Sequence, residues 1–424
     1  MLSSSTHGAP DCCIDSPAVS AIPGKEQMRV PLLDLHDQMA PLREEILAAV
    51  TEVIDSTQYI LGPKVEQFEK KIAAYCGSGH GIGVASGTDA LLASLMALGI
   101  GPGDAVLTTP YSFFATMGCI LRLGARPVFA DIDPLSYNID PKRMAEALAR
   151  DARADKRIKA IIPVHLYGQC ADMGAILALA KEYKLPVVED AAQAIGAVYP
   201  MQSGGQTVWH RAGSMGAAGC FSFFPSKNLG GIGDGGLITC DDPELAERLR
   251  IIRVHGGAPK YHHGVVGGNF RIDPIQTVVL EIKLARLPEW HRARRRNAAN
   301  YRRLFSQAGL LGNGAVSLPE AVYQAVGSAG GEAFDYHIYN QFVIRTRDRD
   351  GLLRHLQNNE VGAEIYYPIP LHRQRCLAGM GYAEVSFPEA ERAARETLAL
   401  PIFPELTEEM QSFVVAKIAE FYTK

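Results

Sequence analysis

Short apolar runs and longer amphipathic stretches take turns along most of this chain, and their order predicts a sheet covered by helices. Between residues 31 and 75 the apolar positions recur at helical spacing, notably in Leu42-Arg43-Glu44-Glu45-Ile46-Leu47-Ala48-Ala49-Val50 and Val65-Glu66-Gln67-Phe68-Glu69-Lys70-Lys71-Ile72. Gly81-Ile82-Gly83-Val84-Ala85 then reads as a short strand, and residues 89–98 as a helix. Apolar runs at 105–109, 127–130, 160–164 and 186–189 follow at the spacing of repeated strand–helix units. Runs without polar alternation are the mark of strands buried on both faces. The pattern therefore predicts an α/β domain whose mainly parallel sheet extends to about Cys240.

Beyond about residue 310 the pattern changes. A Gly/Ala-rich loop at 327–333, a strand at 340–345 and helices near 350–358 and 407–422 predict a smaller α+β domain. The expected division is a disordered leader at 1–28, a large domain at 29–290, and a linking helix with a small C-terminal domain at 291–424. The leader is assigned on its Ser-, Pro- and Ala-rich, aperiodic composition. The basic run His291-Arg292-Ala293-Arg294-Arg295-Arg296 reads as a solvated helix face or subunit rim rather than a polyanion site.

Composition narrows the function classes. Of 424 residues, 47% are hydrophobic and 21% charged, as in ordinary soluble globular proteins. A formal charge of −4 leaves no electrostatic footprint for nucleic acid or an anionic membrane. The eight cysteines form no CxxC pair and no metal spacing, which suits a reducing compartment. Asp11, Asp15 and Pro17 stand where a signal peptide would carry its apolar stretch, and no run approaches the length of a membrane span. The expectation is a cytoplasmic protein of enzyme size.

Two segments carry the chemistry. Val188-Glu189-Asp190-Ala191-Ala192-Gln193 is a buried strand that ends in a carboxylate. Phe221-Ser222-Phe223-Phe224-Pro225-Ser226-Lys227-Asn228 is a second strand with a lysine in the turn after it, backed by Gly230, Gly231, Gly233, Gly235 and Gly236. Apart, Lys227 reads as a surface lysine and Asp190 as a helix cap. Together they supply what pyridoxal phosphate demands: an amine to form an imine, and an acid to keep a ring nitrogen protonated. Ser86-Gly87-Thr88-Asp89-Ala90-Leu91 joins a strand to a helix, where free amides and the helix dipole attract phosphate, although Thr and Asp are also ordinary cap residues. Ser222 stands five positions before Lys227, within reach of the same phosphate. An aromatic in Pro110-Tyr111-Ser112-Phe113-Phe114-Ala115-Thr116 would stack on the ring or belong to the core, and Asn269 and Arg271 sit in a polar turn that opens a helix.

With these segments in order, the chain resembles the DegT/DnrJ/EryC1/StrS family of sugar aminotransferases, within fold type I of the pyridoxal-phosphate enzymes. Further markers are Tyr59-Ile60-Leu61-Gly62-Pro63, Gly268-Asn269-Phe270-Arg271-Ile272-Asp273, Tyr367-Pro368-Ile369-Pro370-Leu371-His372 and Leu400-Pro401-Ile402-Phe403-Pro404. The resemblance spans about 30–422 and departs from the usual length at 201–211 and near Gly327, both read as surface insertions, the first one bordering on the site segments in sequence. It implies a three-layer large domain with a mainly parallel mixed sheet plus a smaller α+β domain.

It also implies roles. Lys227 would hold pyridoxal 5'-phosphate covalently and shuttle the substrate proton, and Asp190 would pair with the ring nitrogen. Gln193 would sit by the ring oxygen, and Phe113 would stack on the ring. Gly87, Thr88, Asp89 and Ser222 would hold the phosphate. Asn269 would reach the phosphate of a neighbouring subunit, which implies a homodimer with shared sites. Glutamate would donate the amino group to a nucleotide-linked keto-sugar. Lys260-Tyr261-His262-His263 and Leu166-Tyr167-Gly168-Gln169-Cys170-Ala171-Asp172 are more similar to members acting on 3-keto sugars. Arg271, His337, His372 and Lys260 are the candidate cationic partners of the diphosphate. Two other readings stand beside this one. A sugar dehydratase of the same fold lacks the imine-forming lysine, and a regulatory protein would keep the pocket without turnover.

Overall fold

The computed structural model describes residues 28–423, apart from residues 313, 325 and 327–334. Among the described residues nine strands precede the linking helix: β1 (His80–Val84), β2 (Ala105–Thr108), β3 (Arg126–Phe129), β4 (Ile158–Ile162), β5 (Val188–Asp190), β6 (Val198–Ser203), β7 (Gln206–Arg211), β8 (Ala218–Ser222) and β9 (Gly236–Cys240). Strands β3, β2 and β4 pair in parallel, as do β5 and β8. Parallel bridges Ile161–Val187 and Val164–Asp190 join the two groups. β9 is antiparallel to both β8 and β1. The spatial order is therefore β3-β2-β4-β5-β8-β9-β1, a mainly parallel mixed sheet as the sequence pattern predicts.

Period-two alternation explains the three layers. Ala105, Leu107, Ile161, Phe221 and Leu237 enter one core with Phe68 and Ile72 of the helix Pro63–Cys76. Val106, Ala160, Ile162, Cys220 and Ile238 enter the other with Leu91, Leu92 and Leu95 of the helix Gly87–Ala97. Each of these four strands thus feeds both faces and shows no polar side. The parallel strands finish on one edge, where ligands of such sheets bind.

A smaller antiparallel sheet holds β10 (Val316–Ser317), β11 (Phe342–Thr346) and β12 (Thr397–Leu400), packed with the helices Arg349–Asn358 and Glu408–Tyr422. Val30, expected in the large domain, instead bridges to Val361 and lies in this second core. The basic run also departs from its expectation. In the helix Leu287–Gln307, His291 and Arg294 are buried, and only Arg292 and Arg296 face outward. Arg294 donates to the carbonyls of Tyr339 (3.0 Å) and Ile402 (2.8 Å), so the charge is spent on segments of the C-terminal part. Helical period, which a contiguous count of arginines hides, decides which of them go inside.

Asp131, just after β3, accepts the amides of Glu389 and Ala390 (both 3.0 Å) at the start of the helix Pro388–Glu396. It caps that helix from another part of the chain. The expected insertion at 201–211 belongs to the hairpin β6–β7, which packs on the helix Met173–Tyr183 and turns at Gly204-Gly205. Except for Met28, the expected leader lies outside the described residues, as does the loop at 327–333. The described cysteines are all unpaired, five buried and Cys376 exposed. No helix among the described residues is long and apolar enough to cross a membrane.

Candidate active site

Glu189 and Asp190 are consecutive in β5, so their side chains leave opposite faces of the sheet. Glu189 is fully buried and accepts the amides of Gly213 (2.8 Å), Met215 (2.7 Å) and Gly216 (2.6 Å). It also meets His165 Nε2 at 2.8 Å. Because the Ala171 amide donates to His165 Nδ1, the imidazole proton sits on Nε2 and is donated to the carboxylate. Glu189 is thereby consumed by the scaffold. Asp190 accepts the Thr116 hydroxyl at Oδ2 (2.7 Å) and the Ala192 amide at Oδ1 (3.3 Å). Thr116 shares a further bond with Ser112 (2.9 Å). Burial pushes the Asp190 carboxyl up, while Thr116, Ala192 and the Lys227 charge pull it back.

Lys227 follows β8 in a turn closed by its own amide on the Phe224 carbonyl (2.9 Å). Its side chain is half-buried, and desolvation lowers its pKa to about 8 against the opposing pull of Asp190. An amine in that range is a ready nucleophile near neutral pH.

The phosphate cradle depends on two close approaches. Gly236 lies in register with both Val84 and Ser222, and a side chain there would put its Cβ 2.4 Å from the Ser86 carbonyl carbon. A Cβ on Gly87 would stand 2.7 Å from Ser222 Cβ. Only glycine permits β1 and β8 to bring the helix start and the serine together. Ser86 caps the helix Gly87–Ala97 by accepting the Asp89 amide (3.1 Å), which leaves the first-turn amides of Gly87 and Thr88 for an anion beside Ser222. Of the three residues expected to bind through the backbone, Asp89 thus has its amide engaged.

Gln193 is buried between two tyrosines that the sequence did not single out. Its Oε1 accepts the Tyr167 amide (2.7 Å), and its Nε2 donates to Tyr367 OH (3.1 Å). Tyr167 holds a left-handed backbone (φ 59°), and its hydroxyl joins Tyr111 OH at 3.2 Å. Phe113 is 58% exposed, with its ring centroid 6.1 Å from that of Tyr367. These contacts gather β5, the segment after β2, the segment after β4 and a C-terminal loop at one edge of the sheet.

The residues expected to bind a diphosphate fare unequally. Arg271 bridges to Val84 at the end of β1 and keeps a buried Nε without a protein partner, which suits a ligand there. Asn269 and Lys260 are exposed. His337 is 3% exposed, stacks on Tyr339 at 3.9 Å and accepts the Tyr339 amide at Nδ1 (3.1 Å). Burial, with Arg302 adding to it, lowers its pKa to about 3, so it is neutral and supplies no cation. His372 is also buried, lies among Phe129 and Phe387, and has Nε2 3.0 Å from Glu391. Burial lowers its pKa although Glu391 opposes this, so it too departs from the expected cationic role. A lone histidine in a sequence carries no sign of its burial, and that is why both were misread.

A buried acid, an amine of lowered pKa and a glycine-lined anion cradle on one sheet edge fit pyridoxal phosphate: Asp190 for the ring nitrogen, Lys227 for the aldehyde, Gly87, Thr88 and Ser222 for the phosphate. The fold and site define a pyridoxal-phosphate-dependent aminotransferase. The chain belongs to the DegT/DnrJ/EryC1/StrS aminotransferase family, whose profile matches residues 41–419. It is 48% identical to the pleiotropic regulatory protein of Geobacillus stearothermophilus, over 93% of this chain and 99% of that one. It is 42% identical to the UDP-N-acetyl-3-dehydro-alpha-D-glucosamine 3-aminotransferase of Acidithiobacillus ferrooxidans, over 92% and 96%. Among solved structures it is similar to S. venezuelae DesV in complex with a ketimine intermediate, at TM-score 0.82 and 40% identity over 93% and 99% of the two chains.

Two outcomes are expected. Thr116→Val removes the hydroxyl that favours the charged Asp190, so the carboxyl should move further up, visible as a shifted carbon-13 titration of Asp190 in the cofactor-free protein. Turnover should fall roughly 10- to 100-fold, in keeping with the ~1.5–3 kcal/mol of a bond to a charged group. An unmoved titration would remove Thr116 from the site. Competitive acetylation of Lys227 in the cofactor-free protein should rise with pH through about 8 and level off above it, because only the neutral amine reacts. A rise deferred to the ordinary lysine range would refute the desolvated amine.

Proposed function

We propose that the protein transfers the amino group of L-glutamate to C3 of a nucleotide-linked 3-keto sugar, working as a homodimer whose sites are each built from two chains. The observation that carries the reading is the juxtaposition of Lys227 and Asp190 beside the Gly87–Ser222 cradle. The 3-keto preference is supported by the Acidithiobacillus relative, named for 3-amination of a UDP-sugar. The name of the Geobacillus relative points to regulation. A regulator has no need of a lysine held near pKa 8 next to a buried acid, and that pair favours turnover.

When bound, the cofactor accepts the electron pair left at the amino-bearing carbon on loss of its proton. Lys227 would remove that proton and return it, and its lowered pKa suits both directions. Asp190 would keep the ring nitrogen protonated, its own charged form favoured by Thr116 and Ala192. Gln193, fixed by Tyr167 and Tyr367, would stand by the ring oxygen. Arg271 would pair with the diphosphate, its buried Nε having no partner among the described residues.

Dimerisation is supported by the surface. Phe113, Phe224, Ile232, Tyr261 and Val266 are between 49% and 86% exposed, and they belong to segments flanking the Lys227 turn, the ring-stacking position and the Asn269 turn. Exposed apolar side chains in the segments that flank the site support a partner chain at that edge.

Borohydride reduction of the cofactor-loaded protein should label Lys227, and glutamate added beforehand should abolish the label and the visible absorbance together. Label on another lysine would overturn the assignment, and an absorbance unchanged by glutamate would leave the regulatory reading in its place. Mixing Lys227→Ala with Asn269→Ala subunits tests the shared site. Both lesions fall into one site of a heterodimer, so activity should return through the intact one, given that Asn269→Ala alone is impaired. Activity never above the sum of the separate mutants under subunit exchange would confine Asn269 to its own chain.

A further inference from the structure

The turn that carries Lys227 is gripped from the side by one helix. Pro274–Leu284 places Gln276 and Lys283 two helical turns apart and therefore on the same face. Both reach the glycine stretch that follows the lysine. Gln276 Oε1 accepts the Ile232 amide at 2.9 Å. Side chains on Gly231 and Gly233 would put Cβ atoms 2.6 and 2.7 Å from the Gln276 amide group, so these glycines admit it. Lys283 is 2% exposed and donates to the Gly230 carbonyl at 2.5 Å. Gly230 in turn presses on Pro225, where a Cβ would stand 2.2 Å from the Pro225 carbonyl oxygen. The Gly231 amide then closes the loop on the Phe223 carbonyl (2.8 Å).

A fully buried ammonium is a costly choice for this place, because an apolar chain of the same length would fill the volume without desolvation. Burial draws the Lys283 pKa down to about 8, opposed by Glu405 of the C-terminal segment, and Nζ lies 5.8 Å from the Trp290 ring centroid. What the ammonium adds over a methylene is a donor aimed at Gly230, three positions beyond Lys227.

We infer that Lys283 and Gln276 are positioning residues for Lys227, fixing the 230–232 segment so that the reactive amine keeps one location while substrates exchange. The inference rests on Lys227 being the lysine that carries the cofactor, but its first readout does not.

Lys283→Met retains the stem and removes the donor. Hydrogen exchange on the folded, cofactor-loaded protein should show amides of residues 226–236 exchanging at least about 10-fold faster, with the helix Pro274–Leu284 protected as in the native protein. The single-turnover rate at saturating glutamate should fall roughly 10- to 100-fold, while KM for the keto-sugar changes little, as expected when a group is misplaced by a fraction of an ångström to an ångström. Gln276→Leu should repeat the pattern in weaker form. Native exchange at 226–236, protection lost equally along the helix, or faster local exchange with a native rate would each overturn the inference. If Lys283→Met does not fold, Gln276→Leu decides: native exchange at 230–233 there rejects the clamp. Borohydride label on another lysine would sink the assignment of Lys227 and leave the exchange result standing.

Discussion

Carrying a carboxylate into the middle of a sheet is the constraint on which the rest of the site depends. Asp190 is 5% exposed, and an unsupported charge there would simply take up a proton. The Thr116 hydroxyl, the Ala192 amide and the facing Lys227 keep it ionisable. Each comes from a different stretch of chain, and so the sheet order has to be right before the acid can hold its charge. Desolvation acts in the opposite sense on Lys227, making it easier to deprotonate. One dry environment therefore prepares both groups for proton transfer, each in the sense its role requires.

The neighbouring Glu189 shows the same problem solved for another purpose. It is equally buried, but three backbone amides and His165 satisfy it completely. Two adjacent acids in one strand thus divide the work, one holding the fold together and one left with capacity for a ligand. The pleat that turns them to opposite faces is the whole of the distinction.

Lys227, Asp190 and the Gly87 turn could be read from the sequence because each lies inside a short strand-and-turn segment whose meaning is local. The mainly parallel sheet was legible for the same reason, through uninterrupted apolar runs. Thr116, Tyr167 and Tyr367 were not, since their contacts with Asp190 and Gln193 span long separations and no local pattern announces them. All three stand inside conspicuous segments, yet the contact of Tyr367 with Gln193, for one, joins the C-terminal loop to β5. His337, His372 and Arg294 went the other way: charge was inferred from residue type, and burial, which the sequence does not display, cancels or redirects it.

The antiparallel course of β9 has a consequence for how the protein is made. Among the described strands β1 is laddered to β9 alone, His80 opposite Cys240, so the first strand of this sheet in the chain waits for its last. Until then Gly87 has neither Ser222 nor Gly236 beside it, and the anion cradle does not exist. Pairing across such a separation is slow, because loop closure must come before any contact repays it. The anion cradle is therefore complete only once β9 has paired with both β8 and β1.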